Sequence, residues 1–150
     1  MPELSFYILQ SESFQERCFF ACKLIEKAYQ SGQYCYVLMD SLPEVQMLDE
    51  RLWTFRPGSF IPHDTATQTL PTNRSQVLIG TQSPPMHWRG VVVNLSSHLP
   101  AHWEDFTRLL EILDNSEATK IAGRQHYSTY KQAGVTITTH KINLTSPTNV

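Results

Sequence analysis

Apolar residues in the first hundred positions alternate between short continuous runs and stretches with helical spacing. The continuous runs are rich in aromatic and β-branched residues and cover residues 4–9, 34–39, 77–79 and 91–95. Runs of this kind are typical of strands that are covered on both faces. Between the first two runs, apolar side chains recur every three or four residues, as on the inner face of a helix. This alternation predicts a three-layer α/β/α domain around a mainly parallel sheet.

Two serine capping boxes indicate where helices begin. Ser13 is followed three residues later by Glu16, and Ser41 by Glu44. In each box the serine side chain accepts a hydrogen bond from a free amide of the first helical turn. The first helix should end at Gly32, because glycine readily adopts the left-handed conformation that terminates helices. We therefore predict one helix between residues 14 and 32 and a second that starts after Ser41.

The C-terminal third of the chain carries three further patterns. Apolar spacing predicts a helix over residues 101–113 and another over about 116–133, which should end at a glycine. Residues 135–139 alternate apolar and polar side chains, which predicts an antiparallel edge strand. The complete prediction from the pattern is one three-layer α/β/α domain over residues 1–142, with a mixed sheet of about five strands. Residues 143–150 are polar and should form a flexible tail.

The chain carries no overall charge that would attract DNA. It has 150 residues and a net charge of -2, with 41% hydrophobic and 17% charged residues, which is a folding composition. A protein that neutralises phosphates usually has an excess of basic residues, so direct DNA contact must be local or weak. The charge is nevertheless uneven. After residue 117 there is no acidic residue, but there are four basic ones: Lys120, Arg124, Lys131 and Lys141.

Neither a cofactor site nor a catalytic site is evident. The sequence has no G-x-x-x-x-G-K-[ST] or G-x-G-x-x-G loop and no G-x-S-x-G elbow. We therefore expect no cofactor, no metal and no enzymatic activity, and the α/β domain should lack a nucleotide site. Cys18 and Cys22 fall on the inner face of the first helix, where they should act as small core residues. With no secretory signal and no apolar run of roughly 18 residues, we expect a cytoplasmic protein without membrane contact.

Two segments suggest binding to a partner. In residues 48–64, Trp53, Phe55 and Phe60 lie among proline and glycine, where a loop cannot easily bury all three. Exposed aromatic clusters often anchor interfaces, although Trp53 and Phe60 could instead close one end of the core.

The second segment is the predicted C-terminal helix. Lys120, Arg124, Tyr127 and Lys131 follow one another at i, i+4, i+7 and i+11, which places three cations and one aromatic on a single stripe. Such a stripe suits an acidic peptide that ends in a hydrophobic residue. The alternatives are an ordinary solvated helix face and a direct binding site for single-stranded nucleic acid, on which bases stack against the tyrosine.

These two segments, in this order, resemble the chi subunit family of DNA polymerase III. The resemblance rests on LDERLWTFRPGSFIPHD at residues 48–64 and on RQHYSTYKQAG at residues 124–134, together with the N-terminal strand and the chain length. It implies a Rossmann-like α/β fold without a nucleotide site. The same resemblance implies a non-catalytic subunit of the bacterial clamp-loader assembly, located in the cytoplasm at the replisome. It also implies two partners: the psi subunit and the acidic C-terminal tail of single-stranded-DNA-binding protein, through which DNA is contacted indirectly.

The resemblance further assigns residues to each partner. The psi-facing surface would include Trp53, Phe60, Pro62 and His63, and a repair helicase is expected to share it in some bacteria. The tail would bind at Arg124, Tyr127 and Lys131. Ser128 stands where some members carry a lysine, so that the site is either less cationic or takes the missing charge from Lys120. A degenerate nucleotide-dependent enzyme of the same architecture remains an alternative.

Overall fold

The computed structural model describes residues 1–55, 61–66 and 75–143. Within the described ranges no helix is long and apolar enough to cross a membrane. The predicted C-terminal tail lies, apart from Asn143, outside the described residues, as does Phe60. The elements are β1 (Glu3–Leu9), α1 (Phe14–Gln30), β2 (Cys35–Leu38), α2 (Leu42–Thr54), β3 (His63–Thr65), β4 (Val77–Gly80), β5 (Val91–Asn94), β6 (Arg108–Leu113), α3 (Glu117–Gln132) and β7 (Ile137–Ile142).

The strands form one sheet in the order β3-β4-β2-β5-β6-β1-β7. Every neighbouring pair is parallel. The predicted three-layer α/β fold is confirmed, because α1 and α2 pack on one face of this sheet and α3 on the other.

The predicted strand count and the antiparallel edge were wrong. Among the described residues the sheet has seven strands rather than about five, because β3 and β6 were not predicted. The last strand is an edge strand, as expected, but it runs parallel to β1, with Leu4 opposite Ile137. The reason is that α3 carries the chain back along the sheet, so that β7 starts at the same end as β6 and β1.

The helix predicted over residues 101–113 was also wrong. Only a short 3-10 turn forms there, at Trp103–Asp105, and the chain then enters the central strand β6. The error arose because apolar residues recur there at helical spacing, which placed Glu111 on the polar side of the predicted helix. These apolar residues are Trp103, Phe106, Leu109, Leu110 and Leu113. In the structure Glu111 is fully buried and hydrogen-bonded, so that β6 is covered on both faces.

The two predicted capping boxes form at the starts of α1 and α2. The Ser13 side chain accepts a hydrogen bond from the amide of Glu16, and Ser41 accepts one from Glu44. Gly32 follows the first helix with a φ of 80°, a left-handed conformation that costs glycine little.

The three cysteines lie in the core between the sheet and the α1 and α2 layer, as predicted for Cys18 and Cys22. Burial raises the pKa of Cys18 to about 11 and those of Cys22 and Cys35 to about 12. These thiols therefore stay protonated at neutral pH and pack as small apolar groups.

Candidate functional site

Helix α3 lies close against the sheet through Gly123, His126 and Tyr130, which are its buried residues. A Cβ atom added at Gly123 would come within 2.5 Å of Leu113 Cδ1. Only glycine at this position therefore lets α3 approach the end of β6 without displacing Leu113.

A buried polar cluster anchors α3 from below, with the Glu111 carboxylate at its centre. The Tyr130 hydroxyl donates a hydrogen bond to Glu111 Oε2 over 2.6 Å, and Asn94 Nδ2 donates to the same oxygen over 3.1 Å. His126 Nδ1 lies 3.3 Å from Glu111 Oε1. Because Glu111 is fully buried, these partners replace the water that the carboxyl group loses on folding.

The pKa values of the two α3 residues in this cluster, His126 and Tyr130, are both raised. Burial alone lowers the pKa of His126, but the hydrogen bond to Glu111 and its charge, together with smaller contributions from Ser97 and Asp40, outweigh it, so the pKa is raised. Burial also raises the pKa of Tyr130, and Glu111 raises it further, so the hydroxyl remains a donor. The position of α3 on the sheet is therefore fixed by the hydrogen bonds of Tyr130 and His126 to Glu111 as well as by apolar packing.

Beside this anchored helix lies a pocket of about 180 Å³, which we call the α3 pocket. Phe6 and Ile8 of β1 form its base, and the Phe6 ring meets the Tyr127 ring edge-on, with 5.4 Å between centroids. The complete lining is Phe6, Ile8, Leu113, Asp114, Lys120, Gly123, Arg124 and Tyr127.

The cations of the α3 pocket are not neutralised from within the described part of the chain. Neither Lys120 nor Arg124 makes a salt bridge among the described residues. Asp114 also lines the pocket, but its carboxylate accepts hydrogen bonds from Ser116 and lies 4.0 Å from Arg17. The pocket thus combines an apolar base with two available positive charges.

The structure brings together most of the residues that the stripe pattern selected. Lys120, Arg124 and Tyr127 surround the α3 pocket, whereas Lys131 lies one turn farther along the helix, exposed and outside the lining. Sequence reasoning missed the apolar base and Gly123. A glycine inside a helical pattern was the available signal, since it often marks close approach to another segment.

The second predicted surface surrounds Trp53 at the end of α2. Trp53 is 58% exposed, so it does not close one end of the core. The centroid of its ring lies 5.5 Å from that of the His63 ring. His63 Nε2 lies 2.7 Å from Asp49 Oδ1, and His63 Nδ1 lies 2.7 Å from the carbonyl oxygen of Ile61. Pro62 is half-buried beside them. We call Trp53, Pro62 and His63 the Trp53 surface.

Sequence analysis missed apolar neighbours on the same face of the sheet. Phe19 of α1 and Met47 of α2 are both partly exposed, and the Phe19 ring meets the Phe55 ring at 5.4 Å. Their scattered positions in the sequence gave no local signal.

At the carboxyl ends of the central strands lies a second crevice of about 240 Å³, which shares Leu113 and Asp114 with the α3 pocket. Doubly wound folds usually bind nucleotides in this position. Here the lining includes the carboxylates of Asp40, Glu44 and Asp114 together with Arg17. Three carboxylates would repel a phosphate group, so the crevice does not favour a nucleotide.

A family model described as DNA polymerase III chi subunit, HolC, matches residues 1–138. The chain belongs to this family. The chi subunit of Pseudomonas aeruginosa is 30% identical over 142 residues, which cover 95% of this chain and 98% of that protein. The chi subunit of Haemophilus influenzae is 24% identical over 124 residues, or 81% and 85% of the two chains. This chi-family chain is therefore an accessory subunit of a replicative polymerase with a role in DNA replication.

Among solved structures, the fold of the chi-family chain is similar to that of domain 2 of the DEAD-box helicase Mss116p bound to an RNA duplex. The TM-score is 0.63 at 12% identity, and the match covers 93% of this chain and 64% of the other. At this identity the likeness concerns the fold alone.

Proposed function

We propose that this chi-family subunit is a non-catalytic adaptor with two binding surfaces. The α3 pocket holds the acidic C-terminal tail of single-stranded-DNA-binding protein, and the Trp53 surface holds the psi subunit of the clamp-loader assembly. The observation that carries the proposal is the pairing of an apolar base with unneutralised cations in one pocket.

The size of the α3 pocket suits one aromatic side chain. Its volume is about 180 Å³, and an apolar cavity of roughly 150 Å³ is enough to bind benzene. A terminal phenylalanine could therefore insert its ring between Phe6, Ile8 and Tyr127, where edge-on contacts between rings are favourable.

The charges around the pocket suit the rest of such a tail. Arg124 can bind a carboxylate through two parallel N–H groups, and Lys120 contributes a more flexible point charge. Lys131, farther along the helix, would contact acidic residues upstream and should contribute less. A tail with a terminal carboxylate and preceding acidic residues therefore matches the pocket.

The Trp53 surface offers a different chemistry, suited to an apolar partner such as psi. Exposed tryptophan is a common interface anchor, and His63, held by Asp49, supports one side of the Trp53 ring. Phe19 and Met47 would extend the contact along α1 and α2. Phe60, outside the described residues, belongs to the same predicted surface. A repair helicase would compete with psi here.

The location of the two surfaces supports a bridging role. Helix α3 packs on one face of the sheet, whereas α2 packs on the other. Psi and the tail can therefore bind at the same time. In this arrangement the subunit reaches DNA through the protein that coats it, which is consistent with a net charge of -2.

The proposal is tested by measuring both partners against two variants, Arg124→Ala and Trp53→Ala. For Arg124→Ala we expect loss of charge-assisted contacts on the order of 1.5–3 kcal/mol, or about ten- to a hundredfold weaker tail binding by calorimetry. Psi should still co-purify with this variant. Trp53→Ala should show the reverse: its affinity for the tail should be unchanged, and psi should no longer co-purify with it.

Each variant is the control for the other, because both side chains are exposed and neither is part of the core. Equal tail affinity in Arg124→Ala and the wild type would contradict the proposal. So would tight binding of a naked oligonucleotide that weakens steeply with salt, which would indicate a direct nucleic-acid-binding site.

A further inference from the structure

The edge strand β7 pairs with β1, which supplies Phe6 and Ile8 to the lining of the α3 pocket. In the β1–β7 pairing, Thr139 lies opposite Phe6, and Lys141 lies opposite Ile8. Paired residues of neighbouring strands point to the same face of a sheet. Phe6 and Ile8 form the base of the pocket, so Thr139 and Lys141 lie on the same face, one strand farther out.

The packing of the neighbouring residues supports this assignment of faces. Ile137 packs in the α3 layer, whereas Ile142 packs in the layer of α1 and α2. His140 stacks on Tyr7 with 4.8 Å between ring centroids, and Tyr7 also packs in the α1 and α2 layer. Side chains along β7 therefore alternate between the two faces.

Helix α3 does not cover this part of the sheet. Phe6 is only 2% exposed, whereas its β7 neighbour Thr139 is exposed, as is Lys141. We call Thr139 and Lys141 the β7 strip. In the described structure Lys141 makes no salt bridge, so its charge is available to a ligand.

We propose that the β7 strip is a second half of the peptide site and that Lys141 binds an acidic residue upstream of the terminal hydrophobic one. This inference rests on the proposed function of the α3 pocket. The peptide leaves the pocket across β1 and passes over β7, so that it is held between cations of α3 on one side and Lys141 on the other.

The spacing of the sheet indicates which ligand residue Lys141 meets. Neighbouring strands are about 4.8 Å apart, and an extended peptide advances about 3.3 Å per residue. The second or third residue before the C-terminus therefore lies over the β7 strip. The site should select peptides that are acidic at these positions, in addition to the terminal hydrophobic residue.

The test uses the full-length protein and a synthetic acidic peptide that ends in phenylalanine, with affinity measured by calorimetry. Lys141→Ala should weaken binding about two- to fivefold, as expected of an exposed ion pair. Thr139→Glu should weaken it at least as much, because the new carboxylate repels the peptide. Thr138→Glu is the matched control, with the same change of charge one residue away on the opposite face, and should leave the affinity unchanged.

A second peptide, with amides in place of the acidic groups two and three residues from its end, completes the design. Lys141→Ala should no longer affect the affinity for this peptide. Equal affinities of the Thr139→Glu and Thr138→Glu variants, together with a normal Lys141→Ala variant, would overturn the role of the β7 strip. If Arg124→Ala still weakened binding in that case, the α3 pocket would stand and only the strip would be refuted.

Discussion

Replacing Tyr130 with phenylalanine removes one hydroxyl from the buried cluster that anchors α3. The hydroxyl donates over 2.6 Å to Glu111 Oε2, and Glu111 is fully buried. The ring itself can stay in place, because its edge-on contacts with Phe6 and Trp103 do not involve the hydroxyl. The substitution therefore isolates a single hydrogen bond to a carboxyl group.

The expected loss follows from what remains around Glu111. Asn94 and His126 still contact the carboxyl group, but water cannot replace the missing donor at a buried position. A hydrogen bond to a charged group contributes about 1.5–3 kcal/mol. Because 1 kcal/mol lowers the melting temperature by roughly 2–4 °C at this chain length, we expect a decrease of about 3–12 °C.

Urea unfolding followed by tryptophan fluorescence measures this free energy. The matched control is Tyr127→Phe, the same chemical change on the same helix. The Tyr127 hydroxyl is on a side chain that is 38% exposed and has no hydrogen bond within the described ranges, so the control should change stability by less than about 0.5 kcal/mol. Equal stabilities of the two variants would refute the anchoring role of Glu111.

Two further predictions concern the same helix. The raised pKa of His126 means that its stabilising contribution is complete below the ordinary value of about 6.5 and is lost as the pH rises through the folded value. The difference in unfolding free energy between the wild type and His126→Gln should therefore be larger at about pH 5.5 than at about pH 8.5, and urea titrations that give a constant difference would contradict this. Gly123→Ala should push Leu113 toward the α3 pocket and weaken peptide binding about fourfold, the effect of one methylene group. Stability should change by no more than about 1 kcal/mol, since better helix propensity offsets the crowding; calorimetry that shows full affinity would rule out this role of Gly123.

The sequence was sufficient to predict those elements whose signals are local. Serine caps located the starts of α1 and α2, and a terminal glycine located the end of α3. Strand β6 was not predictable in the same way. Glu111 is acceptable in a central strand only because Tyr130, His126 and Asn94 surround it, and these partners come from distant parts of the chain.

The same distinction applies to the candidate site. Helical spacing alone placed Lys120, Arg124 and Tyr127 on one stripe. The apolar base of the pocket depends instead on which strands lie beneath α3 and on their register, with Ile8 opposite Leu113. Spacing within a single helix carries no information on that register. The stripe therefore predicted the charges of the site but not its concave shape.

The buried contacts that anchor α3 also keep the pocket beside it in shape before a ligand binds. A binding pocket that exists before the ligand arrives avoids the cost of ordering side chains and segments on binding. Apolar packing alone tolerates small shifts of a helix, whereas hydrogen bonds to one buried carboxyl group require a particular position. Glu111 thus holds α3 where Gly123 contacts Leu113 and Tyr127 meets Phe6. Because these contacts hold α3 in place, no ion pair of Arg124 or Lys120 within the protein is required to position the helix. Their charges therefore remain available to a peptide.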